Sequence, residues 1–322
     1  MTKMPLRCAV LDDYQNVALK MADWSVLKPD VDVTVFNEPI GNADAVIATL
    51  KDFEIVCVMR ERTPLPRRII EALPKLKLIV TTSGRNASID MQAAAERGIP
   101  VCGTRAGPHH TAELAFGLIL DLARSISFED ARMKAGEAWQ TTIGLELHGS
   151  TLGILGLGKL GSRVAGFGRA FGMKVLAWSP NMTPEKAKEG GADYATKEEL
   201  LKQSDFVSIH LVLGDRSRGL IGANELALMK PTAYLVNTSR GPIVKEADLI
   251  DALRTRKIAG AGIDVYDTEP LPKDHPLRTL PNVVLTPHLG YVTAQMYRIF
   301  YGDTVEDIRA WTGGAPVRVI GA

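Results

Sequence analysis

Apolar residues in this chain gather in short runs, separated by stretches whose apolar positions recur at helical spacing. The runs Cys8–Leu11, Val31–Phe36, Ile55–Met59, Leu78–Thr81 and the short Pro100–Val101 predict strands. Between them lie helical patterns such as Pro66–Leu73 and Asp90–Arg97, the second ended by Gly98. Strand and helix alternating in this way predict a parallel α/β sheet. A second series repeats the alternation, with strands predicted at Leu152–Leu155, Lys174–Trp178, Phe206–His210, Ala233–Asn237, Ala259–Asp264 and Val283–Thr286. Six strands with intervening helices suffice for a complete doubly wound domain. A long helical stretch, Thr111 to Arg124, and the polar Ser125–Ala138 join the two series. A last helical segment, Thr293 to Trp311, precedes Gly313-Gly-Ala-Pro316 and a short apolar tail. Order alone leaves two places for that segment: a cap on the second series, or a return to the first.

Length and composition support two domains of ordinary size. The chain has 322 residues, 46% hydrophobic and 23% charged, which is the balance of a globular protein with sizeable cores. The formal net charge is +1, without a basic block or an aromatic-interleaved stripe, so neither nucleic acid nor a membrane surface is expected as a partner. No run approaches the roughly 18 apolar residues of a spanning helix. The N-terminus leads straight into the strand pattern at Arg7-Cys-Ala-Val-Leu11, without a signal peptide's apolar stretch. Cys8, Cys57 and Cys102 form no C-x-x-C pair, and no metal-ligand set stands out. Buried thiols in a reducing cytoplasm are the expectation.

The chemistry begins at Thr151-Leu-Gly-Ile-Leu-Gly-Leu-Gly-Lys-Leu-Gly161. An apolar strand turns into an amphipathic helix (Ser162 to Phe171) through Gly156-x-Gly158-x-x-Gly161. Gly156 permits a tight turn, Gly158 lets the backbone approach a pyrophosphate, and Gly161 lets helix and strand pack closely. The helix N-terminus then faces the anion with its free N–H groups. In the commonest form of this motif a carboxylate about 20 residues on binds the adenosine ribose and repels a 2′-phosphate. Here the next strand ends Trp178-Ser179-Pro180-Asn181, with Ser179 where the carboxylate is expected. No arginine replaces it, although Lys186 and Lys188 follow, so the choice between NAD(H) and NADP(H) stays open.

Three further segments fall at predicted strand ends, the edge where open α/β sheets bind ligands. They are Val236-Asn-Thr-Ser-Arg240-Gly, Asp264-Val-Tyr-Asp-Thr-Glu269-Pro, and Thr286-Pro-His288-Leu-Gly290. An arginine clamps a carboxylate with a planar fork of donors. A histidine exchanges protons near neutral pH, and a carboxylate orients it. Blander readings exist for each: a surface ion pair for Arg240, turn chemistry for Glu269 with Asp267 as an acidic rival, a strand-end cap for His288. His109 and His110 are expected to begin a helix, and His210 to end a strand facing the crevice. Arg60 ends a first-domain strand, where it either reaches the cleft or joins a solvated charge cluster.

Together these motifs resemble the D-isomer-specific 2-hydroxyacid dehydrogenase family, and the resemblance runs from Thr81-Thr-Ser-Gly-Arg-Asn-Ala-Ser-Ile-Asp90 to Gly314-Ala-Pro316. It implies a nicotinamide-dependent oxidoreductase acting at C2 of a small 2-keto or D-2-hydroxy acid, homodimeric and cytoplasmic. The implied fold is two doubly wound parallel-sheet domains, a Rossmann cofactor domain (108–291) inserted into a flavodoxin-like substrate domain (1–107 and 292–322). By the same resemblance Arg240 binds substrate, His288 is the acid/base, Glu269 is its partner, and Asp264 supports the nicotinamide end. The cofactor set then comprises Gly156, Gly158, Lys159, Leu160, Gly161, Ser179, Pro180, Asn181, His210, Thr238, Asp264, Gly290 and Thr111. The substrate set is Ser83, Gly84, Arg85, Asn86 and Arg60, where Arg85 and Asn86 depart from the family's glycine-rich loop. Residues 125–147 resemble the family's dimerisation arm. Two alternatives share the architecture: a nucleotide-sensing, corepressor-like binding protein, and a dehydrogenase of phosphite or formate.

Overall fold

The first series of apolar runs forms five parallel strands: β1 (Leu6–Val10), β2 (Val31–Val35), β3 (Ile55–Val58), β4 (Leu78–Thr81) and β5 (Val101–Gly103). They are ordered β2-β1-β3-β4-β5, so the direction of winding reverses between β1 and β3. The computed structural model describes residues 4–107 and 109–321. The expected domain limits at residues 1, 108 and 322 therefore lie outside the described residues. Every residue of β3 and β4 is buried, as a parallel sheet covered on both faces requires. Leu50, Ile70, Leu73 and Ile79 are among the side chains that fill this core without exposure. Each contributes roughly 1.5–3 kcal/mol by leaving water.

The second series forms seven parallel strands: β6 (Thr151–Leu155), β7 (Lys174–Trp178), β8 (Asp193–Tyr194), β9 (Phe206–Ile209), β10 (Tyr234–Asn237), β11 (Gly260–Ile263) and β12 (Val283–Leu285). Their order is β12-β11-β10-β9-β6-β7-β8, which puts the switch point between β6 and β9. The sequence pattern predicts six of these. It misses β8 because that strand has only two residues, both exposed, and so carries no apolar run.

By contact the chain divides into Met1–Gly107 with Thr293–Ala322, and Pro108–Val292. The return falls between Val292 and Thr293, one residue later than expected. Val292 N–H closes the preceding turn on Leu289 O at 2.8 Å. Thr293 caps the final helix, Ala294–Thr312, by accepting from Met296 N. That helix belongs to the first unit, where Met296, Tyr297, Phe300, Tyr301 and Ile308 are buried. The tail follows it back: Ile320 N donates to Val101 O of β5 at 2.8 Å. In the second unit the helix His110–Arg124 ends at Ser125, whose φ of +51° starts a new direction. The next helix, Ile126–Lys134, buries no side chain.

Candidate active site

Register assembles the site of the second unit. Leu155, Ile209, Asn237, Ile263 and Leu285 pair in sequence across β6, β9, β10, β11 and β12, and Leu155 pairs with Trp178 of β7. The next residue on each strand is Ser179, Gly156, His210, Thr238, Asp264 or Thr286. One row at the carboxyl edge thus holds five residues assigned from sequence to the cofactor, together with Thr286, which sequence reasoning passed over.

At the switch point the three glycines have different reasons to be there. Gly156 has φ +100°, and a Cβ on it would stand 2.6 Å from His210 O. A Cβ on Gly161 would stand 2.0 Å from Gly156 O, so only glycine lets the helix Lys159–Ala170 seat against the turn. Gly158 is exposed, and a Cβ there would meet nothing within 4 Å. That open backbone, with exposed Lys159 and half-buried Leu160 opening the helix, fits a pyrophosphate. Two buried polar atoms on the same row lack partners among the described residues: Thr238 Oγ1 and His210 Nδ1. They are the kind of group a bound dinucleotide would satisfy. Ser208 Oγ lies 2.9 Å from His210 Nε2. Burial pushes the His210 imidazole down to about 4, so it stays neutral at physiological pH. Ser179 Oγ accepts from Leu157 N at 3.4 Å, while Pro180 and Asn181 are exposed.

After β10, Asn237 bridges its own turn: its Oδ1 accepts from Ser239 N, and its Nδ2 donates to Arg240 O, both at 3.0 Å. This turn projects the half-buried Arg240, whose Nη1 donates to Ser239 O at 2.8 Å. Gly241 follows because there is no room for more. A Cβ there would lie 2.2–2.6 Å from the Tyr266–Asp267 peptide. The arginine turn and the loop carrying Glu269 are thereby locked side by side.

His288 has φ +54°, and its N–H donates to Asp264 O and Thr286 O. Its Nδ1 lies 2.6 Å from Glu269 Oε2, while Glu269 Oε1 accepts from Tyr266 N at 3.0 Å. The carboxylate is thus fixed at both oxygens, and Nε2 is the ring nitrogen left for other chemistry. Asp267 faces Glu246, Arg218 and His275 instead, and burial raises its carboxyl. Asp264 is fully buried. Its Oδ1 accepts from Thr286 Oγ1 and Leu289 N, and its Oδ2 from Gly290 N. Burial raises this carboxyl above the usual range although those bonds oppose it. Its visible contacts are therefore to the His288 turn. Gly290 O in turn receives Thr111 Oγ1 at 2.9 Å and faces His110 Nδ1 at 2.6 Å. His109 and His110 do begin a helix, as expected, and His110 additionally holds this turn. Neither Tyr266, whose hydroxyl bonds Ile263 O and Thr286 O, nor His110 carried a sequence signal for its role.

In the first unit, the residues expected to meet substrate lie at the carboxyl ends of β3 and β4. Arg60 has φ +55° and half-buried side-chain surroundings, with Nε 3.7 Å from Glu61 Oε2. Ser83 has φ +78°, and Gly84 and Arg85 are exposed. Asn86 is buried, its amide bound to Arg60 O, Thr81 Oγ1 and Ser88. Asn86 therefore shapes the loop with its side chain rather than projecting it outward.

The family model described as "D-isomer specific 2-hydroxyacid dehydrogenase, NAD binding domain" matches residues 116–290, more than half of the chain. A glyoxylate reductase of Aeropyrum pernix is 43% identical over 300 residues, which cover 90% of this chain and 85% of that protein. The crystal structure of a phosphoglycerate oxidoreductase from Vibrio cholerae is 37% identical, with a TM-score of 0.91 over 96% of this chain and 100% of that one. A D-lactate dehydrogenase from Aquifex aeolicus, solved with NAD and lactic acid, is 30% identical with a TM-score of 0.76 over 95% and 96%.

Proposed function

From the premise that this chain belongs to the D-isomer-specific 2-hydroxyacid dehydrogenase family, and so moves hydride between a nicotinamide dinucleotide and a 2-keto or 2-hydroxy acid, we propose that it reduces a small 2-keto acid at C2 with the Arg240–Glu269–His288 set. The observation that carries this reading is the 2.6 Å contact of His288 Nδ1 with Glu269 Oε2, which leaves Nε2 to exchange a proton with the substrate oxygen. When bound, the nicotinamide supplies or takes up the hydride at C2. Arg240 grips the carboxylate and carbonyl with its fork, which aligns C2 and draws electron density toward the oxygen. Asp264 holds the His288 turn in place and through Gly290 shapes the nicotinamide end. Gly156, Gly158, Gly161, Thr238 and His210 receive the dinucleotide. Relatives named for glyoxylate, D-lactate and phosphoglycerate act on acids that differ at the far end of the molecule.

We place the enzyme in the cytoplasm as a homodimer, with neither nucleic acid nor membrane as partner. The dimer reading rests on the segment 126–145, where Ile126, Phe128, Met133, Trp139, Ile143 and Leu145 are all exposed. The deciding experiment is a panel of glyoxylate, hydroxypyruvate, pyruvate and phenylpyruvate with NADH and NADPH, followed by loss of reduced cofactor. Turnover of at least one keto acid is expected. Binding of dinucleotide without any turnover would leave a sensor in place of an enzyme.

A further inference from the structure

Tyr266 lies where three turns of the candidate site meet. Its peptide to Asp267 is the surface against which Gly241 of the arginine turn packs, with no room for a Cβ between them. Its N–H donates to Glu269 Oε1 at 3.0 Å. Its hydroxyl shares one proton between Ile263 O at 3.0 Å and Thr286 O at 2.9 Å. The histidine turn is built on Thr286: its O also accepts from His288 N, its N donates to Ile263 O, and its Oγ1 donates to Asp264 Oδ1. One part of Tyr266 thus fixes the carboxylate of the acid/base pair. Another fixes the backbone just before the imidazole.

The hydroxyl is the part of this arrangement that packing does not require. The ring is buried in the core of the second unit with Ile243 and Leu277, and a phenylalanine would fill the same space. A buried hydroxyl costs free energy unless it is hydrogen-bonded. Burial also raises the phenol above its ordinary value, so it stays protonated and a donor. Without that donor, Thr286 O keeps the bond from His288 N, which is internal to the turn. The ties to Asp264 also remain, at the far end of the loop that carries Glu269. We propose that the Tyr266 hydroxyl is a positioning group for the reaction: it sets the separation of His288 Nδ1 from Glu269 Oε2, and thereby the direction in which Nε2 presents its proton. The inference rests on the dehydrogenase reading above and adds a residue that acts through the pair. A small error in the placement of a reacting group is expensive in rate, which is why one distant hydroxyl matters.

Tyr266→Phe removes one oxygen and keeps both the ring and the N–H. It is measured beside Leu249→Ala, which opens a cavity in the same core from the helix Glu246–Arg254. The substrate is whichever of glyoxylate, hydroxypyruvate, pyruvate and phenylpyruvate wild type turns over fastest. Tyr266→Phe should lower kcat about tenfold, with KM for the keto acid and nucleotide affinity within about twofold of wild type. Proton NMR reads the pair directly, because a short N–H···O bond moves its proton far downfield, and His288→Gln identifies the signal by its absence. In Tyr266→Phe that signal should move upfield as the bond lengthens. Leu249→Ala should lower the melting temperature at least as far, with kcat and the signal unchanged. A kcat or a signal unmoved in Tyr266→Phe would overturn the inference and leave the pair standing. Equal changes in Leu249→Ala would also overturn it, since the loss would then be one of stability alone. A wild type that lacks the signal has no short bond for Tyr266 to set, which overturns the inference as well. Failure to turn over any keto acid would overturn the dehydrogenase reading with it.

Discussion

At the scale of single residues, protonation and geometry separate the candidates. His210 is held neutral down to about pH 4 by burial, so it cannot give rise to an activity change between pH 5 and 8. In the proposed reaction His288 exchanges the proton through Nε2, and Glu269 Oε2, 2.6 Å from Nδ1, orients the ring. Glu269→Gln keeps the shape but replaces the carboxylate by an amide, so kcat/KM should fall by about tenfold or more in both directions with nucleotide affinity nearly unchanged. Near wild-type kcat/KM in that variant would dissolve the pair. Arg240→Lys should cost at least about tenfold in kcat/KM, roughly 1.4 kcal/mol, with nucleotide affinity nearly unchanged. A lysine retains the charge but cannot make two parallel bonds. Near wild-type turnover would remove Arg240 from the carboxylate. Ser179 neither repels nor strongly attracts a 2′-phosphate, so the NADH-to-NADPH preference should stay below about 100-fold. Ser179→Asp should shift it toward NADH by like-charge repulsion; a wild-type ratio in the thousands would mean that other residues decide.

At the scale of elements, the glycine turn supplies a prediction that divides fold from function. Gly161→Ala forces a methyl to 2.0 Å from Gly156 O, so it should lower both thermal stability, by about 1–3 kcal/mol, and cofactor affinity. Gly158→Ala meets no protein atom and has φ −87°, which alanine adopts freely. Its stability should match wild type while dinucleotide affinity falls. Equal melting curves for both variants would contradict the packing role of Gly161. The same turn explains why so much was legible in advance. Strand ends in parallel register bring distant segments to one row, so apolar periodicity plus the residues just beyond each run located Gly156, His210, Thr238 and Asp264 together. What stayed hidden depends on contacts with no local pattern. Thr286 and His110 hold the His288 turn from separate elements, and Asn86 turns its amide inward on Arg60 O. The two exposed residues of β8 have no apolar period to betray them.

At the scale of the molecule, the chain leaves the first unit and returns to it, and charged groups fasten the return. Asp303 takes Arg105 on both oxygens, and Arg318 reaches Asp307, Glu306 and Asp303 O from the tail. Asp307 is fully buried, with Oδ2 unpartnered among the described residues, and burial raises its carboxyl to about 7 despite Arg318. The folded protein therefore keeps a proton there that the unfolded chain gives up near the usual carboxylate range. Stability should fall as pH rises from about 4 to about 7, by at most roughly 4 kcal/mol from this group. Asp303, whose carboxyl is lowered, acts in the opposite sense but only toward more acid pH. Urea midpoints at pH 5 and pH 8 should differ in wild type and converge in Asp307→Asn; an unchanged slope in that variant would clear Asp307. The remaining whole-molecule feature is the exposed arm. The helix Ile126–Lys134 buries nothing, Ile143 is 100% exposed and Trp139 73%. Leaving such side chains in water forgoes roughly 1.5–3 kcal/mol each, which a second copy of the chain would recover by covering them in the proposed homodimer. Ile143→Asp puts a charge into that contact without disturbing any core of the subunit. Light scattering after size exclusion should therefore read twice the chain mass for wild type and the single-chain mass for the variant at low micromolar concentration. A variant that keeps the dimer mass would move the subunit contact away from this arm.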